Sequence, residues 1–145
     1  MSSLVMSRAE CQEFLAGTHV AIASIPDPAR GPLAIPIWYD YAPGEEVRFV
    51  TGRRSRKMPL LQAAGRMSLA VQEEPLPYRY VTVEGPVTIG VPDFERDIRR
   101  VALRYLGEQM GEAYLRATVE EHADAVLVSL RPQRWLSRDF RKFRL

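Results

Sequence analysis

Four cations stand within five residues in the stretch Thr51-Gly52-Arg53-Arg54-Ser55-Arg56-Lys57, beside the hydroxyls of Thr51 and Ser55. A strand pattern enters this stretch and a helix pattern leaves it. Backbone N–H groups at a helix start point at an anion, and Arg and Lys supply the counter-charge. The chemistry predicted here is therefore the holding of a phosphate-bearing cofactor. Other reactive residue types point nowhere as definite. His19 and His122 lack ligand spacing, so no metal site is expected. Cys11 has only Arg8 as a basic neighbour and reads as a packing residue. Tyr39, Tyr78 and Tyr80 are candidates to donate a proton or stack on a substrate, but they equally suit half-buried strand positions. No catalytic acid or base is assigned.

The elements that must position the basic loop follow from period and punctuation. Ser7-x-x-Glu10 is a capping-box pattern opening a helix over 7–16, stopped by Gly17. Residues 19–25 read as a strand. Residues 33–41 alternate, with Leu33, Ile35, Ile37, Tyr39 and Tyr41 on one face, and Pro36 places this strand at an edge or bulge. Val47, Phe49 and Thr51 mark a third strand, which feeds the loop. Ser55 is the expected cap of a helix running to Ala64, with Pro59 in its first turn and Gly65 at its stop. Met67, Leu69 and Val71 mark a fourth strand. Residues 78–91 form the longest strand pattern, with a bend at Gly85-Pro86.

Asp93 caps a helix whose stripe is Phe94, Ile98, Val101, Ala102 and Tyr105, a face expected to pack in a core or dimer contact. Gly107 ends it, and a short helix covers 111–120. Strands follow over Ala125–Leu130 and 134–140. The expected fold is mainly β with flanking helices: six to seven antiparallel strands closing as a split barrel, in a single domain over 1–145.

Charge distribution narrows the partners. Residues 53–57 carry four positive charges and residues 131–145 a net of five, so within a whole-chain total of +2 the remainder carries −7. Two local anion contacts on an otherwise acidic chain do not suit a surface that coats nucleic acid, and no recognition helix accompanies either run. No run of 18 apolar residues and no basic-then-apolar leader is present, and cysteine occurs once. No membrane partner and a cytoplasmic location are the expectations.

The run Phe49 to Lys57 resembles the phosphate-binding segment of the pyridoxamine 5′-phosphate oxidase-like family, the FMN-binding split β-barrel proteins. Arg79-Tyr80-Val81-Thr82-Val83-Glu84-Gly85 resembles that family's following long strand, and Pro36-Ile37-Trp38-Tyr39 sits where the family places the strand beside the isoalloxazine ring. Trp135-x-x-Arg138-Asp139-Phe140 resembles the C-terminal strand of short members. The resemblance covers about residues 17–142. It implies a homodimer with cofactor sites at the interface and a small-molecule substrate. Thr51, Ser55, Arg56 and Lys57 would bind the phosphate, Pro36, Ile37 and Trp38 would line the ring, and Gln72 would meet the ring edge. Trp135 and Arg138 would reach the site from the C-terminal segment.

Residues that would hold pyridoxamine phosphate find no match, so that oxidase activity is not expected. Some relatives use the deazaflavin coenzyme F-420 in place of FMN, and Arg53 and Arg54 suit its acidic tail. F-420 and FMN both stay open, with F-420 favoured; some relatives bind heme, and nothing in this sequence singles that out. The implied function is an oxidoreductase moving hydride to or from a small organic molecule. The alternative is a non-catalytic cofactor carrier or sensor of the same fold.

Overall fold

The computed structural model describes residues 3–143; Met1, Ser2, Arg144 and Leu145 lie outside the described residues, and with them part of the N-terminal reading and one cation of the basic C-terminal run. Seven antiparallel strands form one curled sheet with helices at its flanks. The strands are β1 (Ala21–Ile25), β2 (Leu33–Ile37), β3 (Val47–Gly52), β4 (Arg66–Gln72), β5 (Arg79–Gly90), β6 (Ala125–Leu130) and β7 (Arg134–Asp139). The helices are α1 (Arg8–Ala16), α2 (Lys57–Ala64), α3 (Arg100–Ala117) and α4 (Val119–Ala123), with a π-turn at Phe94–Arg99 and a 3₁₀ turn at Phe140–Lys142. Strand order is β2-β1-β4-β5-β6-β3, and β7 adds to β5.

The long strand β5 serves two layers. Residues up to Pro86 pair with β4 and β7, and Val87 to Gly90 pair with β6. The change occurs at Gly85-Pro86, where the sequence places a bend. Gly85 is required there by close approach, because a Cβ on it would lie 1.9 Å from the Arg131 carbonyl oxygen. Arg131 N–H in turn donates to the Pro86 oxygen at 3.0 Å. Between the layers Ala23, Leu69, Val83, Val47, Val128 and Leu130 are fully buried. Each large aliphatic side chain there contributes about 1.5–3 kcal/mol by leaving water.

The expected capping box is present: Ser7 Oγ accepts from Glu10 N–H at 3.1 Å, and Ser7 N–H donates to Glu10 Oε1 at 2.8 Å. β2 lies at the sheet edge, so Pro36 withdraws no donor from a central ladder. The strand expected to reach residue 41 stops at Ile37. Tyr39 N–H is taken by the Tyr105 hydroxyl at 3.2 Å instead of by a neighbouring strand. The alternation still holds, since Tyr39 and Tyr41 are buried. Tyr39 Oη donates to the Leu15 carbonyl at 2.5 Å, tying the segment after β2 to α1. Tyr39→Phe strands that buried acceptor, and a loss of about 1–2 kcal/mol in urea unfolding is expected.

Two helical expectations change. Asp93 caps as predicted, accepting from Arg96 N–H at 2.9 Å, but the first six residues make a π-turn. Gly107 ends the first helical run as expected: its φ of 81° and ψ of 174° are not helical, and α3 is two helices joined across that kink, the second running to Ala117 rather than 120. Arg99 and Glu112 pair across that kink.

Candidate functional site

The end of β2, the start of α2 and the helical segment 94–123 enclose a cleft of about 490 Å³. Four predicted site residues meet there: Pro36, Ile37, Trp38 and Lys57. The facing wall was not predicted. Ile98, Val101 and Ala102 of the helical stripe line it, together with Tyr114 and His122. Ile98 and Ala102 of the stripe are packed in a small core cluster with Leu115, as expected, and the stripe also covers the cleft. Trp38 stacks on Tyr105 with centroids 4.9 Å apart and planes 4° from parallel. Tyr114 leans on Trp38 at 5.7 Å. The cleft is therefore largely apolar, with an aromatic floor and one lysine.

Lys57 is half-buried, and loss of water there lowers its pKa. It opens α2, and the cap of that helix differs from the expectation. Arg56, itself in helical conformation, occupies the cap position and makes no side-chain cap bond. The Ser55 hydroxyl accepts from Thr51 Oγ1 at 3.3 Å instead of covering the helix start. Among the described residues the amides of Arg54, Arg56 and Lys57 have no acceptor. A helix start with unclaimed donors, beside a desolvated ammonium, is an arrangement that can hold an anion.

The other cations of the loop separate. Arg53 Nε binds Asp124 Oδ1 at 3.0 Å, and Arg53 N–H donates to the Asp124 carbonyl at 3.2 Å. Arg53, read as a cation for a tail, is thus paired with Asp124 in an exposed ion pair. Arg54 and Arg56 are exposed and have no carboxylate partner among the described residues.

Gln72 lies beside the cleft, in an adjoining hollow of about 600 Å³ that shares Val20 with it. Gln72 pairs with Tyr80, and Tyr80 pairs with Arg138, so these three form a row across one face of the sheet. Trp135 is turned to the other face, where it packs on the core beneath the Arg8 guanidinium, 4.8 Å from its ring centroid. The structure thus does not bring Trp135 to the cleft of its own chain. Of the candidate tyrosines, Tyr39 is buried and bound to Leu15, Tyr78 packs edge-on against Phe140, and Tyr80 lines the adjoining hollow. Cys11 is buried.

A buried ion network fixes the cover. Asp40 follows Trp38 by two residues and is 2% exposed. It meets Arg48 at 3.0 Å, Arg100 at 3.7 Å and Arg104 at 3.8 Å. Asp97, equally buried, is held by Arg96 at 3.0 Å and Arg48 at 3.4 Å. Burial alone would raise the Asp97 pKa; Arg96, the Asp93 amide and Arg48 outweigh it and hold the carboxyl below its ordinary value.

A curled antiparallel sheet with flanking helices is the fold of the flavin- and deazaflavin-binding split barrels. The profile of the family described as pyridoxamine 5′-phosphate oxidase matches residues 7–139, and the chain belongs to that family. Among solved structures it is similar to the conserved hypothetical protein Rv2991 from Mycobacterium tuberculosis, with 25% identity over 98% of this chain and 90% of that one and a TM-score of 0.80. A protein named F420 reductase shares the fold at 22% identity, covering 86% of this chain and 94% of its own, TM-score 0.71. An FAD-binding protein from Mesorhizobium loti does so at 18%, covering 92% and 93%, TM-score 0.65. No curated protein matches the sequence. Among the described residues no helix is long and apolar enough to cross a membrane, and no group of three metal-ligating side chains occurs.

Proposed function

We propose that the protein is an oxidoreductase that holds coenzyme F-420 or FMN and moves hydride to or from a small organic substrate. The observation that carries this reading is the unclaimed start of α2, with half-buried Lys57, opening directly on an apolar cleft. A phosphate on those donors leaves the attached ring system the apolar cleft and the Val20 boundary toward Gln72 to occupy. Thr51, Ser55, Arg56 and Lys57 would hold the phosphate, and backbone at Pro36, Ile37 and Trp38 would face the ring. The cofactor supplies the hydride chemistry; the chain supplies position, charge and exclusion of water. Arg54, exposed and without a carboxylate partner among the described residues, favours F-420, whose tail carries several carboxylates.

The reading includes a homodimer. The outer face of β2-β1-β4-β5-β7 carries a cross-strand row of Pro36, Ile22, Ala70, Thr82 and Leu136. Ile22 is 43% and Leu136 53% exposed, an apolar sheet face that a second copy would cover. Arg138 stands on this face, from which it would reach a cofactor site at the interface.

Titration of the purified protein with FMN and with F-420 tests the proposal. Binding at micromolar concentration, seen as fluorescence quenching or an absorbance shift, is expected for at least one of them, tighter for F-420. Silent titrations with both would sink the cofactor claim. Light scattering is expected to give twice the chain mass, and a monomer would remove the interface site.

A further inference from the structure

We propose that His122 is a pH-dependent member of the anion site: its imidazolium Nε2–H contacts the ligand's phosphate or phosphodiester alongside Lys57. The inference rests on reading the cleft as the site of a phosphate-bearing cofactor. It starts from one hydroxyl. Thr118 Oγ1 donates its single proton to the Tyr114 carbonyl at 2.7 Å. Toward His122 Nδ1, 3.0 Å away, that oxygen therefore acts only as an acceptor, so Nδ1 carries a proton. The tautomer is thereby fixed, and the remaining ring nitrogen, Nε2, has no partner among the described residues. The ring edge-packs on Tyr114 at 5.7 Å and lines the same cleft as Lys57.

Neutral His122 presents a lone pair at Nε2, which repels an anion. Protonated His122 presents an N–H donor and a positive charge. Charges around it do not cancel that effect. Lys57 is the other cation lining the cleft. Asp97 lines it too, but its carboxylate is spent on Arg96, the Asp93 amide and Arg48. Asp124, adjacent in sequence to the end of α4, is taken by Arg53. Glu120 and Glu121 on its own helix are exposed. Tyr114 and Thr118 of α3 are neutral contacts. The cleft thus holds one ammonium and one imidazole whose charge depends on protonation.

The test follows the two imidazoles of the protein by NMR between pH 5 and 9, with inorganic phosphate, FMN and F-420 added separately. Each ligand that binds is expected to raise the pH at which His122 titrates by about one unit, equivalent to about tenfold tighter binding to the charged form. His19, held by the Phe14 carbonyl at 3.0 Å, is expected not to move. FMN affinity should strengthen by up to about tenfold more between pH 8 and pH 6 in the native protein than in His122→Gln. Ionisation of the FMN phosphate itself is common to both proteins and cancels. A His122→Gln urea midpoint equal to the native one confirms that the fold is intact. If neither cofactor binds but inorganic phosphate still shifts His122, the cofactor reading fails and this inference stands. If any of the three binds while the His122 titration stays put, or if none moves it, the inference is overturned.

Discussion

Asp40→Ala is expected to lose about 3 kcal/mol of folding stability, read as a lowered urea midpoint at unchanged slope. Removing one member of a buried ion cluster leaves uncompensated charge, which costs about 3–5 kcal/mol. The lower figure applies because Arg48 keeps Asp97 at 3.4 Å, and Arg104 keeps the Gly17 carbonyl at 2.6 Å. The effect extends to the cleft. Asp40 joins the chain just after Trp38 to Arg100 and Arg104 of α3, so its loss loosens the cover from the aromatic floor. Trp38 is then expected to leave its Tyr105 stack, with a change in tryptophan fluorescence of the folded variant. A stability loss below about 1 kcal/mol would mean that the cluster is screened like a surface pair. Acid acts on the same device. Asp97 is held below its ordinary pKa of 3.8, so it contributes stability above that pH and loses it as pH falls through its folded value.

That network was not legible in the sequence. Arg48, Arg96, Arg100 and Arg104 carry no signal of their buried partners, because periodicity tells which residues share a face and not what the face meets. For the same reason Ile98, Val101 and Ala102 were recognised as an apolar stripe while their partner, the cleft, was not. The π-turn is equally silent: Asp93 caps it and the apolar spacing suits it as it would an α-helix. Trp135 and Arg138 stand three apart on β7 and so point to opposite faces, but the irregular polar–apolar pattern of Arg134-Trp135-Leu136-Ser137-Arg138-Asp139 does not say which face meets the core. His122 lies in a five-residue helix, too short for any period. What was legible had strong local chemistry. Ser7 and Glu10 form a reciprocal cap, Gly85-Pro86 bends β5, and the odd-numbered residues from Leu33 to Tyr41 turn to the core. The basic loop was found because its strand and helix patterns bracket it, though the cap fell one residue later than Ser55. That shift is what leaves the helix donors open.

Lys57→Ala is expected to weaken binding of FMN or F-420 by about 2–3 kcal/mol, roughly 30- to 150-fold. A charge-assisted hydrogen bond is at its strongest where water is scarce, and Lys57 stands in a cleft dry enough to lower its pKa. Arg56→Ala is expected to cost less, about 0.5–1 kcal/mol, because its exposed charge is screened. Riboflavin separates contact with phosphate from contact with ring: it lacks the phosphate, so its weaker binding should be equal in native protein and Lys57→Ala. An equal loss for riboflavin would place Lys57 against the ring. The unliganded protein should respond in the opposite direction. A lysine whose folded pKa is depressed opposes folding while it is charged, and the opposition fades as pH rises through that folded value. Lys57→Met, which keeps the stem and drops the ammonium, is therefore expected to raise the unfolding midpoint at neutral pH while losing affinity. A variant that lost both stability and binding would show that Lys57 supports the fold through contacts of its own, and the open start of α2 would no longer be a site held ready for its anion.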